Sequence, residues 1–200
     1  NDNKFPVALP PEVPDWRTTV ATGELRLTRL SLPWLAEAKL LPEGTRGTVA
    51  GRVLASGTAT DPELAATVAL RNLTFGRYRQ LEATADLRVK EAVDLMLGAQ
   101  LAGTPLLQMT GRADVTASEL VATSHEALWS VPLRVDAKLL PTPLSALLAA
   151  REPLAADGPA SATLTLTGTA QSPRLTLEAL LDTMTTSDGS PLGRLVVNGG

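Results

Sequence analysis

From Val20 onward the chain alternates apolar and polar residues with a period of two. RQLEATADLRVK sets Leu81, Ala83, Ala85, Leu87 and Val89 against Glu82, Thr84, Asp86 and Arg88. PELAATVALRNLTF puts Leu64, Ala66, Val68 and Leu70 on one side, with Ala65, Thr67, Ala69 and Arg71 on the other. The phase continues through Val93, Leu95, Leu97, Ala99 and Leu101, then through Leu107, Met109, Gly111 and Ala113. Upstream, Leu25 and Leu27 share a phase in VATGELRLTRL, and Val49 and Val53 mark a weaker strand in TVAGRVLAS. Downstream come Leu133 and Val135, Leu164 and Leu166, then Leu175, Leu177, Ala179 and Leu181, with PLGRLVVNGG beginning one more strand. Side chains of a strand point alternately to its two faces, so strict alternation over five or more residues marks a half-buried strand. About ten such strands, each with one apolar and one polar face, predict an antiparallel sheet; a parallel one would be apolar on both faces.

Two stretches break this period. LPWLAEAKLL (32–41) and PLSALLAARE (143–152) place apolar residues three and four apart among helix formers, each with a proline near its start. They predict two short helices of two to three turns. The first 19 residues hold four prolines and little periodicity, which predicts an extended linker or an irregular lead-in strand.

One phrase occurs twice. GTATDPELAATVAL starts at Gly57 and GTAQSPRLTLEALL at Gly168, 111 residues apart (168 minus 57). At that offset Gly47 falls on Gly158, Val53 on Leu164, Pro62 on Pro173, Leu64 on Leu175 and Leu70 on Leu181, with the apolar phase kept throughout. Further upstream, LRL (25–27) matches LRV (133–135) with a three-residue change in length. The unit reads strand, short helix, strand, Gly-Thr turn with proline, strand, then further strands. Self-similarity of this kind marks one supersecondary unit stacked beside copies of itself. On this reading residues 20–131 are the first unit and 132–200 a second, truncated one, with PLGRLVVNGG opening a third strand set. The whole then reads as a window from a longer array. The Gly-Thr phrase itself is a hairpin connector: glycine permits positive φ, and proline opens the next strand where no ladder donor is needed. No lysine follows and no helix starts there, so it is not a phosphate loop.

Composition changes this picture mainly by exclusion. The formal net charge is −3 with both signs interspersed, which argues against a nucleic-acid surface. Aromatic residues make up only 3% of the chain, so the apolar surface is built from many similar medium-sized side chains rather than from aromatic anchors. There is no cysteine, which removes disulfides, thiolate metal sites and thiol nucleophiles. His125 is the single histidine, so Ser124-His125-Glu126 reads as a solvated loop and not a triad. Asp94, Asp114 and Asp182 are scattered on strands with no metal-ligand spacing. No catalytic residue, cofactor or metal is expected. No window approaches the ~18 apolar residues of a spanning helix.

The short helix in a strand-rich chain, the Gly-containing loop and the strand–G-T-x-x-x-P-x-L–strand pattern together resemble the TamB family of the AsmA-like superfamily. The resemblance rests on GRVLASGTATDPELAATVALRNLTF, ATLTLTGTAQSPRLTLEALL and LRLTRLSLPWLAEAKLLPEGTRGTVAG, and covers roughly residues 20–200. It implies an all-β chain with two short helices, an elongated antiparallel sheet curled into an open groove with an apolar concave face. It further implies a periplasmic segment of a protein anchored in the bacterial inner membrane. There the groove shields phospholipid acyl chains on their way to the outer membrane. The lining would be the apolar phase named above at 64–70, 81–89, 93–97, 107–109, 133–135, 164–166 and 175–177. An older proposal for the family is help in assembling outer-membrane barrel proteins with a TamA-like partner, here by β-augmentation at open strand edges. A third reading, from periodicity alone, is a closed β-sandwich in which the same apolar faces form a core.

Overall fold

The computed structural model describes residues 18–37, 39, 44–122, 125–148 and 154–200. Wherever the alternation runs, the chain is strand: β1 (Gly23–Ser31), β2 (Arg46–Gly57), β3 (Pro62–Phe75), β4 (Tyr78–Val89), β5 (Val93–Leu101) and β6 (Thr104–Ala113) form the first half. β7 (Pro132–Pro143), β8 (Ala156–Asp157), β9 (Pro159–Thr169), β10 (Ser172–Thr186) and β11 (Pro191–Gly199) form the second. All belong to one antiparallel sheet in the order β1-β2-β3-β4-β5-β6-β7-β9-β10-β11, with the two-residue β8 pairing β10. The sheet is open, neither closed nor strongly curled. A single sheet has no second layer, so the sandwich reading is overturned.

The helices sit at the strand ends. α1 (Leu32–Glu37) joins β1 to β2, and α4 (Leu144–Leu147) follows β7, both on what we term the upper rim. These are the two helices expected at 32–41 and 143–152; Pro143 instead ends β7, and the remaining residues, apart from Lys39 and Leu148, lie outside the described part. The lower rim carries two further helices that periodicity passed over, α2 (Ala117–Ala122) and α3 (His125–Leu128). His125 therefore opens a helical turn instead of lying in a loop; the side chains of the Ser124–Glu126 triplet are outside the described residues. For α2 the lost signal was a capping box. Thr116 Oγ1 accepts from the Glu119 amide at 3.2 Å, while Glu119 Oε2 accepts from the Thr116 amide at 2.8 Å.

The repeat is a repeat of conformation. Gly57 has φ +98° and Gly168 φ +102°, and a Cβ on either would overlap a backbone carbonyl, that of Asp61 or of Ser172. In each turn the following threonine caps the chain: Thr58 Oγ1 accepts from the Asp61 amide at 3.0 Å, and Thr169 Oγ1 from the Ser172 amide at 3.1 Å. Proline then opens the next strand directly opposite the glycine (Gly57↔Pro62, Gly168↔Pro173). At the far end of those strands the correspondence holds again. β3 bulges between Leu70 and Leu73 with Asn72 at φ +52°, and β10 bulges between Leu181 and Met184 with Thr183 at φ +45°. Asn72 and Thr183 are also 111 apart. Gly47 and Gly158 pack against these two bulges, where a Cβ would lie 2.9 Å from the Arg71 carbonyl oxygen and 3.0 Å from that of Asp182.

Two alignments of the sequence reading are corrected by the register. Leu25 pairs with Val53, whereas the residue paired with Leu164, the counterpart of Val53, is Ala137. β1 and β7 therefore correspond at an offset of 112 (137 minus 25), a one-residue change in length, and LRL matches AKL (137–139) instead of LRV (133–135). The two alignments differ by four residues, an even number, so the apolar phase cannot tell them apart. Likewise Leu70 pairs with Ala83 and its counterpart Leu181 with Leu195, which makes β11 the counterpart of β4 and not the start of a third unit.

Candidate functional site: the apolar face

Cross-strand partners in an antiparallel sheet share a face. One row runs Leu27, Gly51, Val68, Ala85, Leu97, Met109, Ala137, Leu164, Leu177 and Gly199, every member small or apolar. The neighbouring row runs Leu25, Val53, Ala66, Leu87, Leu95, Gly111, Val135, Leu166 and Leu175. Leu64, Val89, Val93, Ala113, Leu133 and Gly168 form the next row towards the lower rim; Leu70, Ala83, Ala99, Leu107, Leu139 and Ala162 lie towards the upper one. Leu81 pairs with Leu73 and Leu101 above that. The twenty residues singled out from the sequence thus stand on one face of one sheet.

That face is only partly covered: of the twenty residues Val68 and Leu175 are exposed, Val89 is buried and the other seventeen lie between. Among the described residues no large side chain is fully buried. The eight that count as buried are Leu32, Thr45, Val89, Ala92, Val115, Ala117, Thr142 and Ala160, all close to a helix. Leu32 opens α1 and Thr45 lies just before β2; Val89, Ala92, Val115 and Ala117 cluster at α2; Thr142 and Ala160 pair across β7 and β9 beside α4. Val89 and Ala160 belong to the apolar face, while Arg88, pointing the other way, is exposed. The helices therefore lie on the apolar side, along its rims. The accessible surface, 14473 Å², far exceeds the roughly 9000 Å² of a compact chain of this length.

Two hydrogen bonds tie these rims across several strands. The Ala117 amide donates to the Lys90 carbonyl at 2.9 Å, drawing α2 back over β5 towards β4. Tyr78 Oη donates to the Leu147 carbonyl at 2.5 Å, so α4 reaches from β7 to the start of β4. The upper rim also gathers the bulges of β1, β3, β5–β6, β7 and β10. Bulges bend strands, and with these confined to one rim the central rows stay regular; this is why the sheet is not strongly curled.

The opposite face carries the charges. Thr67 Oγ1 donates to Asp86 at 2.7 Å and Thr165 Oγ1 to Asp136 at 3.0 Å, each across a strand pair. Arg112 pairs with Asp94 (3.3 Å) and Asp114 (3.1 Å), Arg52 with Glu24 (2.7 Å), and Lys90 with Glu63 (2.7 Å). Hydrogen bonds from Arg134 and then Thr165 hold the Asp136 carboxyl below the usual carboxylate range. Exposed pairs of this kind contribute little each, ~0–1 kcal/mol, and chiefly fix which face meets water. A hollow of about 350 Å³ on this side is lined by Asp86, Arg88, Asp94, Arg112, Arg134 and Asp136, whose opposite charges balance.

Asp94 and Asp114 are thus ion-pair partners of Arg112, and Asp182 accepts from the Thr183 amide at 3.0 Å. Trp129 is half exposed beyond α3, while the side chain of Trp34 and all of Trp16 lie outside the described residues. No described helix is long and apolar enough to cross a membrane. No family model, curated protein or solved structure matches this chain.

Proposed function

We propose that this chain is a lipid-shielding segment. Its apolar face screens phospholipid acyl chains from water while they move between two membranes. The single observation that supports the reading most is a one-phase apolar face, continuous over ten strands and only partly covered between helical rims. From Leu81 to Val89 the floor is ~26 Å wide at ~3.3 Å per residue, and ten strands ~4.8 Å apart make it ~43 Å long. Half a bilayer core is ~15 Å thick, so an acyl chain fits in either direction. Burying a methylene is worth ~0.8 kcal/mol, so about fourteen of them gain ~10 kcal/mol before ordering costs. The rows named above carry no aromatic anchor, which suits passage better than storage.

In this reading the trough owes its walls to α1, α2 and α4 and to the row of bulges more than to curl. The chain takes its place in a TamB-like protein of the AsmA-like superfamily, anchored in the bacterial inner membrane and crossing the periplasm, in support of outer-membrane biogenesis. Native mass spectrometry of the purified chain, together with photo-crosslinking from Leu87 and Leu95, tests it. Phospholipid should co-purify and crosslink from those positions. Crosslinks arising instead from Glu82 or Arg88 on the charged face would sink the assignment.

A second reading is favoured by one observation: β1 and β11 each leave one edge unpaired among the described residues. Open edges template incoming strands, which suits a scaffold that assists outer-membrane barrel assembly with a TamA-like partner. It predicts indifference to charge placed on the apolar face.

A further inference from the structure

β3 and β4 bulge side by side at the upper rim, at Asn72 (φ +52°) and Gln80 (φ +57°), and Gly47 of β2 (φ +134°) packs against the first. Each of these three residues follows an arginine: Arg71, Arg79 and Arg46. The register turns all three towards the charged face. Arg71 pairs with Thr48, next to the apolar pair Val49–Leu70, and Arg46 pairs with Thr74. Arg79 follows Tyr78, whose partner Phe75 is in phase with the apolar Leu73. Arg46 and Arg79 thus flank Thr74 on the neighbouring strands, ~10 Å apart at ~4.8 Å per strand. Bulges re-aim side chains, and here they bring three arginines to one small area.

The second copy of the repeat inverts the charge. At the offset of 111, Arg46 becomes Asp157 (157 minus 46) and Arg71 becomes Asp182 (182 minus 71), and the pair Arg46–Thr74 is answered by Asp157–Thr185. Those acids are satisfied from within, Asp157 by the Ser145 hydroxyl and two amides, Asp182 by the Thr183 amide. The arginines are donors only. None of the three forms an ion pair among the described residues, unlike Arg52, Arg112 and Arg134. Residues 38–43, just ahead of Arg46, add Lys39 as well as Glu43 and so leave the excess charge unchanged. On the same face a hollow of about 380 Å³ adjoins Arg71, lined also by Glu82, Gln100 and Gln108 and kept open by Gly98.

We propose that Arg46, Arg71 and Arg79 bind the phosphate of a soluble phosphorylated polyol, whose hydroxyls occupy the hollow against Glu82, Gln100 and Gln108. Guanidinium forks match phosphate oxygens two at a time. Glu82 accepts from hydroxyls and repels a second acid, so a neutral polyol is favoured over a polyanion. A lipid headgroup seated here would leave its acyl chains over the charged face, which favours a ligand free in solution. The site stands whatever the apolar face carries.

The probe is glycerol 3-phosphate, titrated calorimetrically into the unaltered chain beside inorganic phosphate and glycerol. It should bind at least about tenfold more tightly than inorganic phosphate, and glycerol should not bind. R71A and R79A should each weaken it about tenfold or more, whereas R134A, on the same face beyond the hollow, should leave it unchanged. G98L fills the hollow and should bring glycerol 3-phosphate down to the level of inorganic phosphate. No binding, equal binding of the two phosphates, or an equal loss in R134A overturns the proposal. So does binding confined to phosphatidylglycerol vesicles and lost in R71A, which would place a lipid headgroup at the arginines. The comparison of ligands needs no altered chain and decides the matter should a variant misfold.

Discussion

Leu87→Asp separates the roles of the two faces most sharply. Leu87 sits mid-strand in β4 between Ala66 and Leu95. Because it is only half-buried, an aspartate there keeps its water in the empty sheet. The fold loses the cross-strand contacts and some strand preference, together ~1–2 kcal/mol. With an acyl chain on the floor the balance differs. Three or four methylenes lose their apolar bed, ~3 kcal/mol in all at ~0.8 each, and the carboxylate either stays wet or is stripped of water at further cost. A loss of ~2–3 kcal/mol or more is ~30- to 150-fold in affinity. The assay is binding of a fluorescent phospholipid by the isolated chain, with circular dichroism and thermal melts on the same samples. Thr84→Asp, on the same strand but the charged face, serves as the comparison. Affinity should fall at least ~30-fold for Leu87→Asp and stay unchanged for Thr84→Asp. Equal losses in both, or no loss in either with the fold intact, would refute the reasoning.

Three further outcomes bear on the scaffold. Gly57→Ala should lower stability by ~1–3 kcal/mol in a thermal or urea melt, because positive φ is strained for alanine and its Cβ meets the Asp61 carbonyl; Gly98→Ala, whose Cβ would first meet Thr84 Oγ1 at 3.6 Å, should change little. Tyr78→Phe removes the donor to Leu147, so amide exchange around α4 should quicken and stability should drop by ~0.5–1.5 kcal/mol, with far-ultraviolet dichroism unchanged. Asp157 accepts from the Ser145 hydroxyl at 2.5 Å and from the amides of Ser145 and Gly158, which hold its carboxyl below the usual range. A depressed carboxyl stabilises the fold fully above its unfolded pKa of ~3.9, and that contribution fades as pH falls through the folded value. Melts taken from about pH 5 down to pH 2 should therefore show a steeper fall in the parent chain than in Asp157→Asn.

How much of this was legible beforehand follows from what alternation encodes. Period two assigns each residue to a face wherever a strand runs, and it did so for the strands from β1 to β10 except the two-residue β8; for β11 it marked a strand in PLGRLVVNGG without assigning its faces. The Gly-Thr phrases were equally legible as connectors, because a positive φ and a ladder-free proline are local demands. The missed helix α2 had a local signal too, since Thr116 and Glu119 stand at capping-box spacing.

The remainder was beyond local pattern. A shift of two or four residues leaves every leucine on its own face, so only the ladders distinguish offset 112 from 108 for β1 and β7. The same apolar alternation serves a sandwich core or a bare sheet, because a residue's phase says which way it points and not what meets it there. Whether anything covers Leu87 or Leu97 depends on the paths of α1, α2 and α4, and those are set by contacts such as Tyr78 to Leu147, 69 residues apart. The amino-acid sequence by itself determined an antiparallel sheet with one apolar face and a repeated connector. Only the tertiary structure decided that the sheet is single, that its helices stand at the rims, and that the apolar face between them is only partly covered.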